Sequence, residues 1–189
     1  MKVHFLSDTH WFHANIIKYC SRPFSSEEEM NADMVKRWNS VVSVDDTVIH
    51  VGDMSAGLAG RRDELRALIR SLNGTKVLVR GNHDHQPDSW YLESGISRVY
   101  DIVNLGGVVL VHYPLHEALS RGYDLQSLGS IEHVVHGHIH RVDTPDFEDH
   151  FNVAADRHNY TPVPMEKVVP PRLRSEFTSA FTSAVATCL

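Results

Sequence analysis

Positive charge is scarce in this chain. Lys and Arg number 18 against 24 Asp and Glu, a net charge of −6. A protein that grips a long stretch of nucleic acid usually carries a basic excess, so a nucleic-acid partner is not expected. Cysteine is nearly missing: Cys20 and Cys188 are the two in the chain. They cannot build a disulfide framework and suit a reducing compartment. Long apolar runs are missing as well. Val3-His4-Phe5-Leu6 stops at Ser7-Asp8, too short for a signal peptide or membrane span, so the expected location is cytoplasmic, away from membranes. Gly57-Leu58-Ala59-Gly60 lacks the glycine and lysine spacing of a P-loop, and no dinucleotide fingerprint occurs. What the chain holds in excess is histidine, 14 residues of the commonest metal ligand and proton carrier.

At 189 residues and 42% hydrophobic content, the sequence has enough apolar material for one sizeable core. Lys2–Leu6, Thr47–Val51 and Thr75–Arg80 read as strands, and a helix is expected over Glu27–Asn39. Ser25-x-x-Glu28 and Ser26-x-x-Glu29 each offer a capping box there, while Met30, Met34 and Trp38 share one stripe. Arg61–Leu72 repeats leucine and isoleucine at helical spacing. Val99–Val103 and Val108–Val111 suggest a hairpin around Asn104–Gly107, with later strands at Glu132–His136, Phe151–Ala154 and within Tyr160–Val169. Helix–strand alternation followed by consecutive strands argues for a mixed α/β fold. The expected domain is 1–169. The Ser/Thr/Ala-rich stretch 170–189 shows no clear core face and reads as a C-terminal tail, either flexible or packed as a terminal helix.

Five segments share one arrangement, an apolar β-branched run that ends in metal-ligand side chains. They end in Asp8-Thr9-His10, Gly52-Asp53, Gly81-Asn82-His83-Asp84, His112 and Gly137-His138-Ile139-His140. Ligands gather beyond the carboxyl ends of strands in open α/β sheets, so five such ends would make one pocket. The i, i+2 spacing of Asp8 with His10 and of His138 with His140 can aim both side chains one way. Glycines before Asp53, Asn82 and His138 allow tight turns where backbone approaches an ion.

The ordered set resembles the calcineurin-like metallophosphoesterases, from about Lys2 to beyond His140. Asp8-x-His10-x-x-His13-x-Asn15-Ile16-Ile17 with Arg22-Pro23-Phe24 looks like the small bacterial and phage branch, although Trp11-Phe12 stands where a Phe-Gly pair is expected. The resemblance implies a four-layer α/β/β/α sandwich of two mixed sheets flanked by helices. It also implies two divalent metal ions, manganese foremost, with Fe, Zn, Co or Ni suited to the same nitrogen and oxygen donors. One ion would take Asp8, His10, Asp53 and His140, the other Asp53, Asn82, His112 and His138. The implied reaction is in-line attack on phosphorus by a hydroxide held between the ions. His83 would be the general acid and Asp84 would orient its ring. His13, Asn15, Arg22, Arg80 and Tyr113 are candidate substrate contacts. The expected activity is hydrolysis of a small phosphate ester, a diester ahead of a monoester. A non-catalytic scaffold on the same fold is the rival from another class.

Overall fold

Strands such as Thr47–His50 and Val108–Val111, buried at every position, need cover on both faces, and the layering of this chain supplies it. The computed structural model describes residues 1–58, 60–142 and 149–186. Its first sheet runs in the order β4 (Ile96–Tyr100), β3 (Thr75–Val79), β2 (Thr47–His50), β1 (Val3–Leu6) and β9 (Val163–Pro164). The first four are parallel and β9 lies antiparallel to β1. The second sheet is β5 (Ile102–Leu105), β6 (Val108–Val111), β7 (His133–His136) and β8 (His150–Asn152), with the β5–β6 pair antiparallel and the others parallel.

Period-2 alternation sorts the strand residues into cores. Phe5, Ile49, Val77 and Val79 face Leu105, Val108, Leu110 and Val135 of the second sheet, forming the central core. Leu6, Val48 and Leu78 point the other way, onto α2 (Glu27–Val41), α3 (Arg62–Ser71) and α4 (Asp88–Glu93). The outer face of the second sheet, Val109, Val111 and Val134, packs with Tyr113 and with Ala118 of α5 (Leu115–Ser120). The two mixed sheets and their flanking helices are the architecture expected from the sequence.

Details depart from the expectations in instructive ways. Helix α2 takes Ser26 as its N-cap, accepting from the Glu29 amide at 3.2 Å, while the Glu29 carboxylate turns back to Ser25 at 2.7 Å from its amide. The hairpin predicted from Val99 is divided at Asp101. Val99 and Tyr100 finish β4 in the first sheet, and only Ile102 onward pairs with β6. The segment 160–169 gives a two-residue strand and the short α6 (Met165–Val168). The stretch beyond Pro170 does have a core face. Helix α7 (Arg174–Ala186) buries Phe177 and Phe181 in the central core, behind Leu173. Serine and threonine on its other sides hide a stripe built from two aromatics. Residues 187–189 lie outside the described residues. No helix among the described residues is long and apolar enough to cross a membrane.

Candidate metal centre

Every motif singled out in the sequence leaves a strand at its carboxyl end, and those ends from both sheets face one place. The segment after β1 runs beside that after β2 and bonds to it: the Asp8 amide donates to Gly52 O at 2.9 Å, His10 to Asp53 O at 3.1 Å and Trp11 to Met54 O at 2.9 Å. Ser7 ties the sheets together, donating to Val153 O at 3.0 Å and accepting from the Ala155 amide at 2.9 Å. Asp8, His10, Asp53, His138 and His140 all sit at positive φ, between 48° and 68°, a region uncommon for residues with a side chain. Such strain persists only where surrounding contacts over-determine it, and it gathers at functional sites.

The glycines explain how the loops can be this close. A Cβ on Gly81 would stand 2.3 Å from Asp53 Oδ1, and one on Gly137 would stand 2.3 Å from Asp8 Oδ2. They permit loops to nest against one another's carboxylates, rather than letting backbone approach an ion.

Carboxylates and imidazoles interleave. Asp53 Oδ2 lies 3.3 Å from His112 Nε2, 3.7 Å from His10 Nε2 and 4.0 Å from His83 Nε2. Asp8 Oδ1 lies 3.8 Å from His140 Nε2 and 4.0 Å from His10 Nε2. Asp8, His10 and His140 form one group of potential ligand atoms; Asp53, His112 and His138 form another. His112 Nδ1 donates to Val51 O at 2.9 Å, which leaves Nε2 as its lone-pair nitrogen when the ring is neutral. Burial pushes the Asp8 carboxyl up. Burial would do the same to Asp53, yet the imidazoles of His112 and His10 hold it well below the usual carboxylate range. Burial opposes charge on His112, but Asp53 and Asp8 together push it up to about 9.

The sequence model of the calcineurin-like phosphoesterase superfamily domain matches residues 1–155. The chain belongs to the calcineurin-like phosphoesterase superfamily. This superfamily binds divalent metals and acts on phosphoesters. An uncharacterized protein of Methanocaldococcus jannaschii is 35% identical over 176 residues, covering 89% of each chain. The Gene 66 protein of Mycobacterium phage L5 is 37% identical over 81 residues, 42% of this chain and 38% of the phage protein. The crystal structure of a protein of unknown function from Aquifex aeolicus overlays with a TM-score of 0.69 at 24% identity, covering 88% of this chain and 96% of its own.

The donors of this chain suit metal ions by an observation internal to the structure. His10 Nε2, His112 Nε2 and Asn82 Oδ1 are buried polar atoms with no hydrogen-bond partner. Buried polar atoms are rarely left so, and three from three different strand ends are short of the same thing, a Lewis acid. A thiol also stands near: Cys20 groups with His140 and Asp156, where the sequence suggested nitrogen and oxygen donors alone.

Other expectations are corrected. Asp84 does not orient the His83 ring. Its buried carboxylate accepts from the amides of Asp53 (2.8 Å), Met54 (3.1 Å) and Gly81 (2.9 Å), fastening the second and third loops together. Burial pushes it up to about 6 even so. His83 is exposed at the open side, placed by its amide donating to Asp53 Oδ1 at 2.8 Å. Arg22 does not reach for substrate. Its guanidinium is buried, forked onto Asp156 at 2.9 Å through both Nε and Nη2. Arg80 braces the loop after β3, donating to Asp84 O and Gln86 O at 2.8 Å each and pairing with Asp88. Tyr113 is buried, packed between the His138 ring and the Arg121 guanidinium. Asn15 is exposed on α1 (Ala14–Tyr19). Of the five candidate substrate contacts, His13 adjoins the cluster with its Nδ1 3.3 Å from His10 Nδ1, and Tyr113 adjoins it through the rings of His112 and His138.

Two carboxylates escaped the sequence reading. Asp156, in a short helical turn after β8, lies 2.6 Å from His140 Nδ1. Glu117 of α5 lies 3.3 Å from His138 Nε2. Neither sits in a recognisable motif.

Proposed function

We propose that this chain is a dinuclear metal-dependent phosphoesterase acting on small phosphate esters. The observation that carries the reading is the convergence of His10 Nε2 and His112 Nε2, buried without a hydrogen-bond partner, on the Asp8 and Asp53 carboxylates; Asn82 Oδ1, after a third strand, is buried without a partner as well. Asp8, His10, Asp53 and His140 would hold one ion, and Asp53, Asn82, His112 and His138 the other. Asp53 Oδ2 is the atom placed for sharing, since imidazoles from both sets approach it. Held there, two divalent ions, manganese by preference, would supply the positive charge a chain of net −6 lacks and would lower the pKa of water at the site.

The chain's own groups divide the remaining work. The rings of His10 and His112 close the buried side of the cluster, while His83, His138 and His140 stay partly open to solvent and mark the approach for substrate. His83, carried on the first turn after β3, would give its proton to the leaving oxygen. An open cavity of about 610 Å³ on the side of His138 and His140, lined also by Tyr19, Cys20 and Val142, has room for a small phosphate ester. Arg22 and Arg80 are both engaged inside the protein and would not meet a second phosphate charge, while Arg141 lines this cavity; a diester stays ahead of a monoester in this reading.

The test offers bis-nitrophenyl phosphate and nitrophenyl phosphate to metal-stripped protein resupplied with Mn. The diester should turn over faster. His83→Ala should lower kcat about 10²–10⁴-fold with metal content retained, whereas Asp53→Ala should lose metal. Turnover of neither ester by protein confirmed to hold two ions would favour the scaffold reading instead.

A further inference from the structure

The two histidines of Gly137-His138-Ile139-His140 are backed by carboxylates of very different security. His140 Nδ1 meets Asp156 Oδ2 at 2.6 Å, and both side chains of the Asp156–Arg22 pair are 0% exposed. The same Arg22 donates through Nη2 to Asp8 O at 2.6 Å and through Nη1 to Thr9 O at 3.0 Å. One buried network therefore ties the His140 ring to the backbone turn that carries Asp8 and His10. On the other side, His138 Nε2 meets Glu117 Oε1 at 3.3 Å. The Glu117 and Arg121 side chains are 24% and 45% exposed; Glu117 stands on a six-residue helix and Arg121 is its C-cap. Water screens that pair and lets it move.

We propose that Asp156 and Glu117 are positioning residues for His140 and His138, and that the buried Asp156–Arg22 clamp makes the Asp8–His10–His140 side the first and tighter to load. This rests on the dinuclear reading above. A carboxylate on the far nitrogen of a ligating histidine fixes the tautomer, aims the ring and raises its basicity; losing it typically costs 10–100-fold in metal affinity. With Asp156 occupying Nδ1, His140 offers Nε2. With Glu117 occupying Nε2, His138 offers Nδ1.

Calorimetric titration of metal-stripped protein with Mn provides the test. Wild-type protein should bind two ions in two resolved steps. Asp156→Asn should weaken the tighter step about 10–100-fold, and Glu117→Gln should weaken only the weaker step, by less than tenfold. Because Asp156→Asn leaves a buried guanidinium poorly paired, the double variant Arg22→Met/Asp156→Asn removes both charges and should show the same loss in the tighter step. Long-range nitrogen NMR of the Zn-loaded wild type gives a signature needing no variant, an Nδ1–H on His140 and an Nε2–H on His138. Fewer than two ions on the wild type would defeat the dinuclear reading itself. Two ions with an unchanged tighter step in the Asp156 variants, both carboxylate variants striking the same step, or one shared tautomer for the two rings would each overturn the proposal. A merely structural role would lower the melting temperature and leave the affinities alone.

Discussion

At the scale of single residues, the site depends on side chains that are absent as much as on those present. The amide nitrogen of Asp53 would lie 2.4 Å from a Cβ on Gly81, and backbone at that position cannot step aside. Gly81→Ala must push the third loop away from the second, breaking the Asp84 contacts that fasten them. The expected result is a stability loss of about 1–3 kcal/mol by urea titration, together with reduced metal uptake by elemental analysis. Full metal content at unchanged stability would show that these loops do not need to touch. The clustering of Asp8, His10, Asp53, His112, His138 and His140 was legible in the order of the sequence, because each follows closely on the end of a strand. Asp156 was not, since its contact with His140 is made by tertiary folding across a turn without periodic pattern. Arg22 was legible as a residue near the motif and misread as a substrate contact, because a sequence does not reveal that its partner is a buried carboxylate 134 positions on. The Asp84 misreading has a similar origin: adjacency to His83 suggested a shared task, but consecutive residues on a turn point to different sides.

At the scale of elements, the strands were readable because burial on both faces leaves uninterrupted Val, Ile and Leu. What could not be read was which sheet each strand joins. Val99–Val103 is apolar on both sides of Asp101 and reads as one strand, yet the chain changes sheets there, a choice dictated by the packing of two layers. Helix α7 was obscured for the opposite reason. Two phenylalanines, with the small Ala180 and Ala184, supply the apolar stripe among its described side chains, so its amphipathic signal is faint against the surrounding serines and threonines. The phenylalanines carry weight nonetheless. Phe177 is fully buried, its ring 5.9 Å from Phe5 and stacked at 6.0 Å on Phe181. Phe177→Ala should cost about 3–5 kcal/mol in chemical denaturation, the range for emptying a buried aromatic site. A loss under 1 kcal/mol would mean that α7 only rests on the core and could be removed without opening it.

At the scale of the whole molecule, histidine abundance has a consequence separate from metal binding. His50 is buried in β2, sharing a 3.0 Å hydrogen bond with Thr9 Oγ1, and burial pulls it down to about 3. His136 in β7 is drawn down to about 4 by the same cause, and His133 is lowered in the same sense. These rings stay neutral in the fold while the unfolded chain protonates them near 6.5. The unfolded state thus binds more protons below that pH, so their contribution to stability is complete above about 6.5 and drains away as pH falls toward 4 and 3. Each such histidine adds about 1.4 kcal/mol per pH unit to that loss once well below 6.5. His112 and the carboxylates of the cluster bend the total profile in their own ways, so the comparison to make is between wild type and His50→Gln, both metal-stripped. Glutamine can keep a hydrogen bond to Thr9 but takes up no proton. The stability difference between the two proteins should therefore be constant above pH 7 and shift steadily in favour of the variant from 6.5 down to 4, by about 1.4 kcal/mol per unit. Parallel curves across that range would mean that His50 gains its proton inside the fold, and that the centre of the first sheet opens to water without unfolding.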